Sequence, residues 1–423
     1  MLDIKFIREH PNAVRQSLEK RQDREKLKWL DEVLKLDVEY RKALQDNQSL
    51  RQRRNMITDE INKLRKQGLD MKEKLQEARM IPEALKESDA KTEEMKQKID
   101  YYLMRLPNIL HESVPYGKTS EDNQVVKEWG QKTRFDFELK AHGELLQDKG
   151  MANFEKAAEV SGNGFYYLMG DAARLEMALI NFAIDNLTEK GYKLVNPPLM
   201  LRRKPYEGVT DLADFENVMY KIQDEDAYLI ATSEHPIAAL LMNEVQEEKS
   251  LPIKMIGFSP CFRKELGSHS LDTKGLFRVH HFYKIEQFIF CRPEDSWKFH
   301  EELLKNCEEI FQKLELPYRI VNICTGDIGI VAAKKYDVEA FFPRENLYRE
   351  VISCSNCTAY QATRLNMKYK SGNDREYMHT LNSTAIAVSR TIRCIVENCQ
   401  QKDGSIKIPK VLQKYMGKEV IGK

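Results

Sequence analysis

Two arginines and an aromatic residue in one segment could hold a nucleotide. The segment SPCFRKELGSHSLDTKGLFRVHHFYKIEQFIF, residues 259–290, contains two strand-like runs that flank a polar loop around Gly267. Arg263 and Arg278 lie on either side of the loop, and permanently charged guanidinium forks suit a triphosphate. Phe282, four residues after Arg278, is expected on the same strand face, where its ring could stack on a purine. The segment is predicted to be a nucleotide-binding hairpin.

Acidic side chains accompany these cations. Glu265 and Glu286 lie in the same segment, and each could bind a cationic group of a substrate. The alternative is a surface hairpin with ordinary ion pairs, which any isolated Arg–Glu pair would favour.

A second segment, YREVISCSNC, offers oxygen ligands. Glu350 and Ser353 are three residues apart, and a carboxylate and a hydroxyl suit Mg²⁺, which prefers carboxylates, phosphates and water. The spacing of Cys354 and Cys357 is that of a zinc-binding CxxC pair. No second CxxC or histidine pair follows in the sequence, so buried thiols are the favoured interpretation.

A third segment, HTLNSTAIAVSRTIRCIVENCQ, begins with small residues. Ser383, Thr384, Ala385 and Ala387 are predicted to let the start of a helix lie close to a ligand. Arg390 is then expected about two turns into that helix. Small residues in a helix are usually core packing, so this signal gains weight only beside the other two.

A charged helical hairpin is predicted to precede these segments. Helix formers dominate from about Glu25 to Arg105, with Gly68 and Pro82 as the breakers. Apolar residues recur every three, four or seven positions, which is typical of a coiled-coil seam. These positions are Leu50, Ile57, Ile61, Leu64, Leu85, Thr92, Met95, Ile99, Tyr102 and Leu106. Gly68 is expected to end the first helix and Pro82 to open the second. A dimerisation coiled coil is the alternative to a projecting arm.

Basic residues cluster near the predicted tip of this arm and could bind phosphates. They are Arg51, Arg53, Arg54, Lys63, Arg65 and Lys66. A solvated charged face is the plainer interpretation of such a cluster. Because the net charge of the 423 residues is only +1, nucleic-acid binding must come from local basic faces, and a non-specific DNA coat is disfavoured.

The remaining sequence favours an α+β catalytic domain. Helix Ala172–Lys190 and strands Lys254–Phe258, Phe277–Phe290 and Tyr318–Ile323 are predicted, with connections typical of an antiparallel sheet. No P-loop or GxGxxG motif occurs. The eight cysteines have no framework spacing, and neither a signal peptide nor a membrane span is evident, so a cytoplasmic protein with reduced thiols is expected.

Together these segments resemble the class II aminoacyl-tRNA synthetases, and specifically seryl-tRNA synthetases of the archaeal and eukaryotic type. KGYKLVNPPLML resembles the first family motif, CFRKELGSHSLDTKGLFRVHHF the second and LNSTAIAVSRTI the third, and TSE at Thr232–Glu234 adds to the match. The chain departs from the bacterial pattern at Lys264 and at Ser383–Thr384. It remains open which of these last two contacts the substrate.

The resemblance implies two domains. Residues 1–108 would form a tRNA-binding domain with a coiled-coil arm over about residues 27–105, and residues 109–423 a class II catalytic domain with an antiparallel sheet flanked by helices. It further implies a homodimer, with Pro197 or Pro198 at the interface.

The resemblance also implies an ATP-dependent serine–tRNA ligase and its site residues. The ATP site would comprise Arg263, Lys264, Glu265, Arg278, Val279, Phe282, Glu350, Val351, Ile352, Ser353 and Arg390. The serine site would comprise Thr232, Ser233, Glu234, Arg263, Glu286, Asn382 and Thr384. Catalytic roles fall to Arg263, Glu265 and Arg390, and Glu350 and Ser353 would hold Mg²⁺ on the triphosphate.

Within that site, Arg263 would clamp the α-phosphate and the serine carboxylate, while Glu265 binds the adenine amino group. Glu286 would take the serine ammonium, and Arg278 and Arg390 the outer phosphates. The basic arm residues would bind the long variable arm of serine tRNA, which selenocysteine tRNA shares.

Three other functions fit parts of this pattern. A paralogue that loads a carrier protein would lack the arm. A non-catalytic scaffold would not need the full set of charged residues. A class II synthetase for threonine, proline or glycine would carry editing or anticodon domains, which the sequence does not show.

Overall fold

The structure is a computed structural model that describes residues 1–211, 216–265 and 275–423. The chain divides into two compact units, residues 2–107 and residues 108–423 together with Met1. The predicted polar loop around Gly267 lies outside the described residues.

Residues 2–107 form a helical unit. Its helices are α1 (Ile4–Glu9), α2 (Pro11–Lys20), α3 (Arg24–Gln67) and α4 (Lys72–Leu103). Since α3 has 44 residues, its length is about 66 Å at a rise of 1.5 Å per residue. It ends at Gly68, whose φ of 69° is left-handed, a conformation that glycine adopts without steric cost.

An apolar seam joins α3 and α4 as an antiparallel hairpin. Ile57 is fully buried and packs against Ile81 and Leu85. A polar layer interrupts the seam, where the buried Asn47 donates hydrogen bonds to Asp89 at 2.9 Å and to Thr92 at 3.3 Å. A buried polar layer in such a seam disfavours other registers of the two helices. The predicted seam is therefore present.

The predicted start of the second helix is wrong. Helix α4 begins at Lys72, and Pro82 lies inside it. Because proline lacks the N–H of the helical ladder, it is usually excluded from helix interiors. The surrounding helix formers and the apolar seam on both sides of Pro82 override that local preference.

The second unit is built around one sheet. Its strands are β1 (Gln124–Trp129), β2 (Ala152–Asn153), β3 (Tyr167–Leu168), β4 (Lys193–Val195), β5 (Met200–Leu201), β6 (Tyr228–Leu229), β7 (Val245–Glu247), β8 (Ile253–Phe262), β9 (His281–Cys291), β10 (Tyr318–Asn322), β11 (Lys334–Phe342), β12 (Leu347–Thr358), β13 (Lys368–Ser371), β14 (Asp374–Tyr377), β15 (His379–Ala387), β16 (Ile406–Lys407) and β17 (Val420–Ile421). Eight of them form a sheet in the order β1-β10-β11-β12-β15-β9-β8-β4. Neighbours run antiparallel, except that β4 is parallel to β8, so the predicted α+β fold is confirmed.

Helices pack against both faces of this sheet. They follow the chain as α5 (His142–Asp148), α6 (Phe154–Ser161), α7 (Gly170–Thr188), α8 (Arg203–Val209), α9 (Glu234–Ala238), α10 (Ser296–Lys313), α11 (Tyr360–Leu365), α12 (Val388–Cys399) and α13 (Lys410–Met416). Apolar residues of α7, α10 and α12 share one core with inward residues of the sheet, such as Ile285 and Ile289. Since successive strand residues point to opposite faces, Lys284, Glu286 and Phe288 face away from α7, α10 and α12.

Two predicted elements near the site differ from the structure. The strand expected from Phe277 begins at His281, so Arg278 precedes the strand and does not share a strand face with Phe282. The small residues 383–387 belong to β15, and helix α12 begins after them at Val388. Arg390 therefore lies in the first turn of that helix rather than two turns in. Within the described ranges, no helix is long and apolar enough to span a membrane.

Candidate active site

A cavity of about 590 Å³ opens on the sheet face that the three helices leave uncovered. Its walls are formed by strands β9, β11, β12 and β15, by helix α9, by the first turn of α12 and by the segment that follows β8. Predicted site residues that line it are Thr232, Glu234, Arg263, Glu265, Phe282, Glu286, Glu350, Val351, Ser353, Asn382, Thr384 and Arg390. Residues of four separate sequence segments thus meet in one space.

Opposite charges are paired on β9 inside the cavity. Lys284 and Glu286 have side chains that are 7% and 2% exposed, and the lysine Nζ lies 2.5 Å from the Oε2 of Glu286. The hydroxyl of Thr384 on β15 donates to the same oxygen at 3.1 Å. Because burying an unpaired charge is costly, these contacts are what permit a carboxylate at this position.

A second carboxylate faces the same space. The Oε1 of Glu234 accepts hydrogen bonds from Asn382 at 3.1 Å and from Gln361 at 3.3 Å. Burial, and then the charge of Glu286, raise the pKa of Glu234 to about 7, although Lys284 opposes the shift. Glu234 therefore changes its charge near neutral pH.

Two β-bulges orient the residues of this wall. In a regular strand Glu350 and Ser353 would point to opposite faces. The pairing of β11 with β12 skips Val351, since Val338 faces Ile352 and Glu339 faces Glu350. A bulge inserts one extra residue and resets the alternation, so both oxygen ligands line the cavity. The register of β15 and β9 shifts likewise at Ala385.

The third segment presents Thr384 to the cavity. Ser383 points to the opposite face of β15, where its hydroxyl lies 3.2 Å from the sulfur of Cys307 in helix α10. Ser383 is fully buried there. Of the two residues that the sequence left open, Thr384 is the one that a substrate in the cavity would meet.

Arg263 and Phe282 lie beside each other in the cavity wall. The guanidinium lies 5.4 Å from the ring centroid of Phe282, and its Nε donates to the carbonyl of Ala231 at 3.3 Å. Val279 packs beneath Phe282 and Cys261. A flat ring beside a fixed cation suits a purine nucleotide.

Another part of the cavity wall combines a cation with the predicted metal ligands. Arg390 lies over Phe277 at 4.8 Å and donates to the backbone carbonyl of Glu350 at 3.0 Å. Desolvation raises the pKa of the Glu350 carboxyl, but Lys335 and Arg390 outweigh it and hold the pKa below its ordinary value. An ionised carboxylate and the Ser353 hydroxyl on one side of the strand fit a Mg²⁺ ion that also binds phosphates.

Five predicted site residues lie outside the cavity wall. Ser233 is buried and donates to the carbonyl of Gly257 at 3.2 Å. Ile352 belongs to the core that the sheet forms with α7, α10 and α12. Val279 supports Phe282 from below. Lys264 lies 5.9 Å from the ring of Tyr220, and Arg278 is exposed. Direct ligand contacts for these five residues stay predictions.

Sequence reasoning missed several charged and polar residues of the wall. Lys284, Lys335 and Gln361 all lie in or beside it. Lys284 had a signal in the sequence, because it lies two residues before Glu286 in a predicted strand and so shares its face. The other two come from segments whose approach depends on the tertiary fold.

The basic residues of the arm differ in their contacts. Arg51 contacts Asp89 at 3.1 Å, and Arg53 donates to Glu77 at 2.7 Å. Such exposed pairs contribute little stability and exchange readily. Arg54, Lys63, Arg65 and Lys66 are exposed, and within the described chain no ion pair holds them.

The fold and the cavity define a class II aminoacyl-tRNA synthetase. Residues 219–399 match the family model described as the class II core domain of tRNA synthetases (G, H, P, S and T). Residues 1–110 match the model described as the seryl-tRNA synthetase N-terminal domain.

Similarity to individual proteins identifies one family within this class. The serine–tRNA ligase of Methanocorpusculum labreanum is 59% identical over 98% of this chain and 99% of its own length. The seryl-tRNA synthetase of Pyrococcus horikoshii, solved in complex with ATP, is 50% identical, with a TM-score of 0.94 over 100% of this chain and 99% of that one. The cytoplasmic serine–tRNA ligase of Naegleria fowleri, solved with AMP, is 37% identical, with a TM-score of 0.89 over 100% and 98%. The chain belongs to the seryl-tRNA synthetase family.

Replacing Glu234 by glutamine is expected to stabilise the protein increasingly as pH rises. The folded-state pKa of Glu234 is raised to about 7 from 4.5, so its stabilising contribution is present below about pH 4.5 and is lost as pH rises through about 7. The difference in free energy of unfolding between Glu234→Gln and wild type should therefore grow between about pH 5 and pH 8, by on the order of 2 kcal/mol. Thermal unfolding across this range measures it. The exposed Glu144 serves as control, and a Glu144→Gln variant with the same pH trend would contradict the assignment.

Proposed function

We propose that the chain activates L-serine with ATP and transfers the seryl group to the 3′ end of serine tRNA. The observation that carries this proposal is the meeting of Glu234, Glu286, Thr384 and Arg263 in one cavity. A small zwitterion needs acidic groups for its ammonium and a cation for its carboxylate. The ligase names of the relatives and the ATP bound to the Pyrococcus protein support the same reaction.

The first step needs the two substrates to be positioned correctly and does not need a protein nucleophile. A serine carboxylate oxygen attacks the α-phosphorus of ATP. The bond from that phosphorus to the oxygen that bridges the α- and β-phosphates breaks, and pyrophosphate leaves. Arg263 is suited to hold the attacking carboxylate and the α-phosphate together, and Arg390 to bind the leaving phosphates. Both cations lie in place before the reaction, so they stabilise developing charge without reorganisation.

We assign the adenine to the part of the cavity that Phe282 and Glu265 line. Glu265 has a φ of 45°, a left-handed conformation that costs energy in a residue with a side chain. Strain of this kind is found where a function fixes the backbone, which agrees with a carboxylate aimed at the adenine amino group. Mg²⁺, held by Glu350 and Ser353, would supply charge neutralisation on the triphosphate.

Amino-acid selection would follow from hydrogen bonding and from size. Thr384 already donates to Glu286, so a hydroxyl group in this corner meets polar partners. Alanine would leave these partners without a hydroxyl, which costs far more than a lost apolar contact. Threonine adds a methyl group, which a simple pocket rejects by only about 1–3 kcal/mol.

In the second step the terminal ribose hydroxyl attacks the carbonyl carbon of the adenylate, and AMP leaves. The exposed cations of the arm, Arg54, Lys63, Arg65 and Lys66, suit contacts to the phosphate backbone of the long variable arm of a serine tRNA. Selenocysteine tRNA is a second candidate acceptor because it shares that feature. We assign the arm to tRNA binding on this basis.

We further propose a homodimer that acts in the cytoplasm. Large apolar residues are exposed around the edge strand β4, namely Met177 at 52%, Leu194 at 44% and Met200 at 49%. An apolar rim beside an unpaired strand edge is typical of a subunit interface. The Naegleria relative is a cytoplasmic serine–tRNA ligase, which supports the compartment.

Substituting Arg263 by alanine is expected to abolish serine-dependent exchange of pyrophosphate into ATP. The loss should be at least about a thousandfold, because one cation holds both reacting groups. Wild type should be tested with serine, threonine, alanine and glycine side by side, and serine should give by far the highest rate. Arg319→Ala is the matched control, since Arg319 pairs with Glu339 at 2.5 Å and does not line the cavity. Normal exchange by Arg263→Ala would overturn the proposed role, and exchange with another amino acid would overturn the substrate.

Removing Leu27–Leu103 and closing the gap with a short flexible linker is expected to spare adenylate formation. Charging of serine tRNA should fall by on the order of a hundredfold, because the phosphate contacts of the arm are lost. Pyrophosphate exchange and tRNA acylation, measured on one preparation, separate the two steps. An equal loss of both activities would mean that the arm supports folding of the catalytic unit.

A further inference from the structure

Lys284 is a buried cation in the cavity with no role among the predicted site residues. It lies on β9 two residues before Glu286 and shares its face of the sheet, whereas the residue between them, Ile285, belongs to the opposite core. Its Nζ lies 2.5 Å from Oε2 of Glu286. Lys284, Glu286 and Glu234 all line the same cavity.

The two carboxylate oxygens of Glu286 differ in their contacts. Lys284 and Thr384 both use Oε2, and no hydrogen bond from the described residues involves Oε1. Glu234 is similar, since Gln361 and Asn382 both donate to its Oε1. Each carboxylate therefore has one oxygen anchored by the protein and a second oxygen that a ligand can use.

We propose that Lys284 is a positioning residue for serine: its charge balances that of Glu286 and its Nζ holds Oε2, so that Oε1 receives the substrate ammonium. This inference rests on the proposed function, in which Glu286 binds that ammonium. A buried carboxylate without a cation takes up a proton, and a neutral acid attracts an ammonium weakly. Lys284 acts through Glu286 and needs no contact with serine.

The charges around the site give this role a pH dependence. Glu234 faces Glu286 and Lys284 from β9, Arg263 from the end of β8 and the Cys357 thiol from β12. Of these, Glu286 raises the pKa of Glu234, whereas Lys284 and Arg263 lower it. On its own helix, the neighbouring His235 has a pKa lowered to about 3 by burial and by Lys284, so it is neutral. Removing Lys284 would therefore raise the pKa of Glu234 further, so that Glu234 would stay neutral up to a higher pH.

The chain offers a matched control. Lys254 on β8 pairs with Glu302 of α10 at 2.7 Å, and both side chains are partly buried. Neither residue lines the cavity. Removing this lysine also leaves a glutamate without its cation, but outside the candidate site.

The test measures the KM for serine and for ATP by pyrophosphate exchange between about pH 6 and pH 8.5. Lys284→Met is expected to raise the serine KM by at least roughly tenfold at neutral pH, with the ATP KM within about twofold of wild type. The ratio of mutant to wild-type serine KM should increase as pH falls, because Glu234 takes up a proton at a higher pH in the mutant. Lys284→Arg, which keeps the charge, should restore most of the serine affinity, and Lys254→Met should leave it unchanged.

The remaining outcomes contradict the inference. A serine KM that Lys284→Met leaves unchanged, or a ratio that does not vary with pH, would overturn it, as would equal losses for ATP and serine. Lys284→Gln is a second neutral variant if methionine prevents folding. If neither neutral variant folds, Lys284 serves the fold and the inference is wrong. A wild-type enzyme without serine-dependent exchange would instead refute the proposed function itself.

Discussion

Charged groups can leave water only where opposite charges and hydrogen-bond donors compensate them, and this constraint shapes the catalytic unit. Lys284 and Glu286 are almost fully buried, but they pair with each other, and Thr384 donates a hydrogen bond to Glu286. Glu234 receives two amide donors. The same neighbours that make these charges tolerable also fix their orientation. A binding site for a small zwitterion requires charges that are held in place before the substrate arrives. The contacts that offset the cost of burying these charges also meet that requirement.

A sheet is well suited to hold such groups because its two faces perform different tasks. Residues at alternate positions of β9 enter either the cavity or the core formed with α7, α10 and α12. The bulge at Val351 then brings Glu350 and Ser353 to the same face, and the one at Ala385 changes the alternation after Thr384. A loop could present the same side chains, but strands backed by helices hold them with less freedom, and small errors in position reduce the rate steeply.

The sequence predicted the helical hairpin, the antiparallel sheet and the three segments of the site, because periodicity and clustered charges are local properties. It failed where the outcome depends on tertiary contacts. Pro82 was expected to open a helix but lies inside one, since the apolar seam outweighs the preference of one residue. The start of β9 at His281 and the strand over residues 379–387 depend on pairing between distant segments. Likewise, no sequence pattern distinguishes Thr384 from Ser383, whereas the register of β15 does.

The central claim is that buried acidic groups capture the substrate ammonium, and the proton balance of serine binding tests it most directly. Calorimetric titration of serine into the enzyme with a non-hydrolysable ATP analogue, in buffers of different ionisation enthalpy, measures that balance. Because the pKa of Glu234 is about 7, binding near pH 7 should release on the order of half a proton, and the release should vanish above about pH 8.5. Binding without proton release at pH 7, or with proton uptake, would contradict the account.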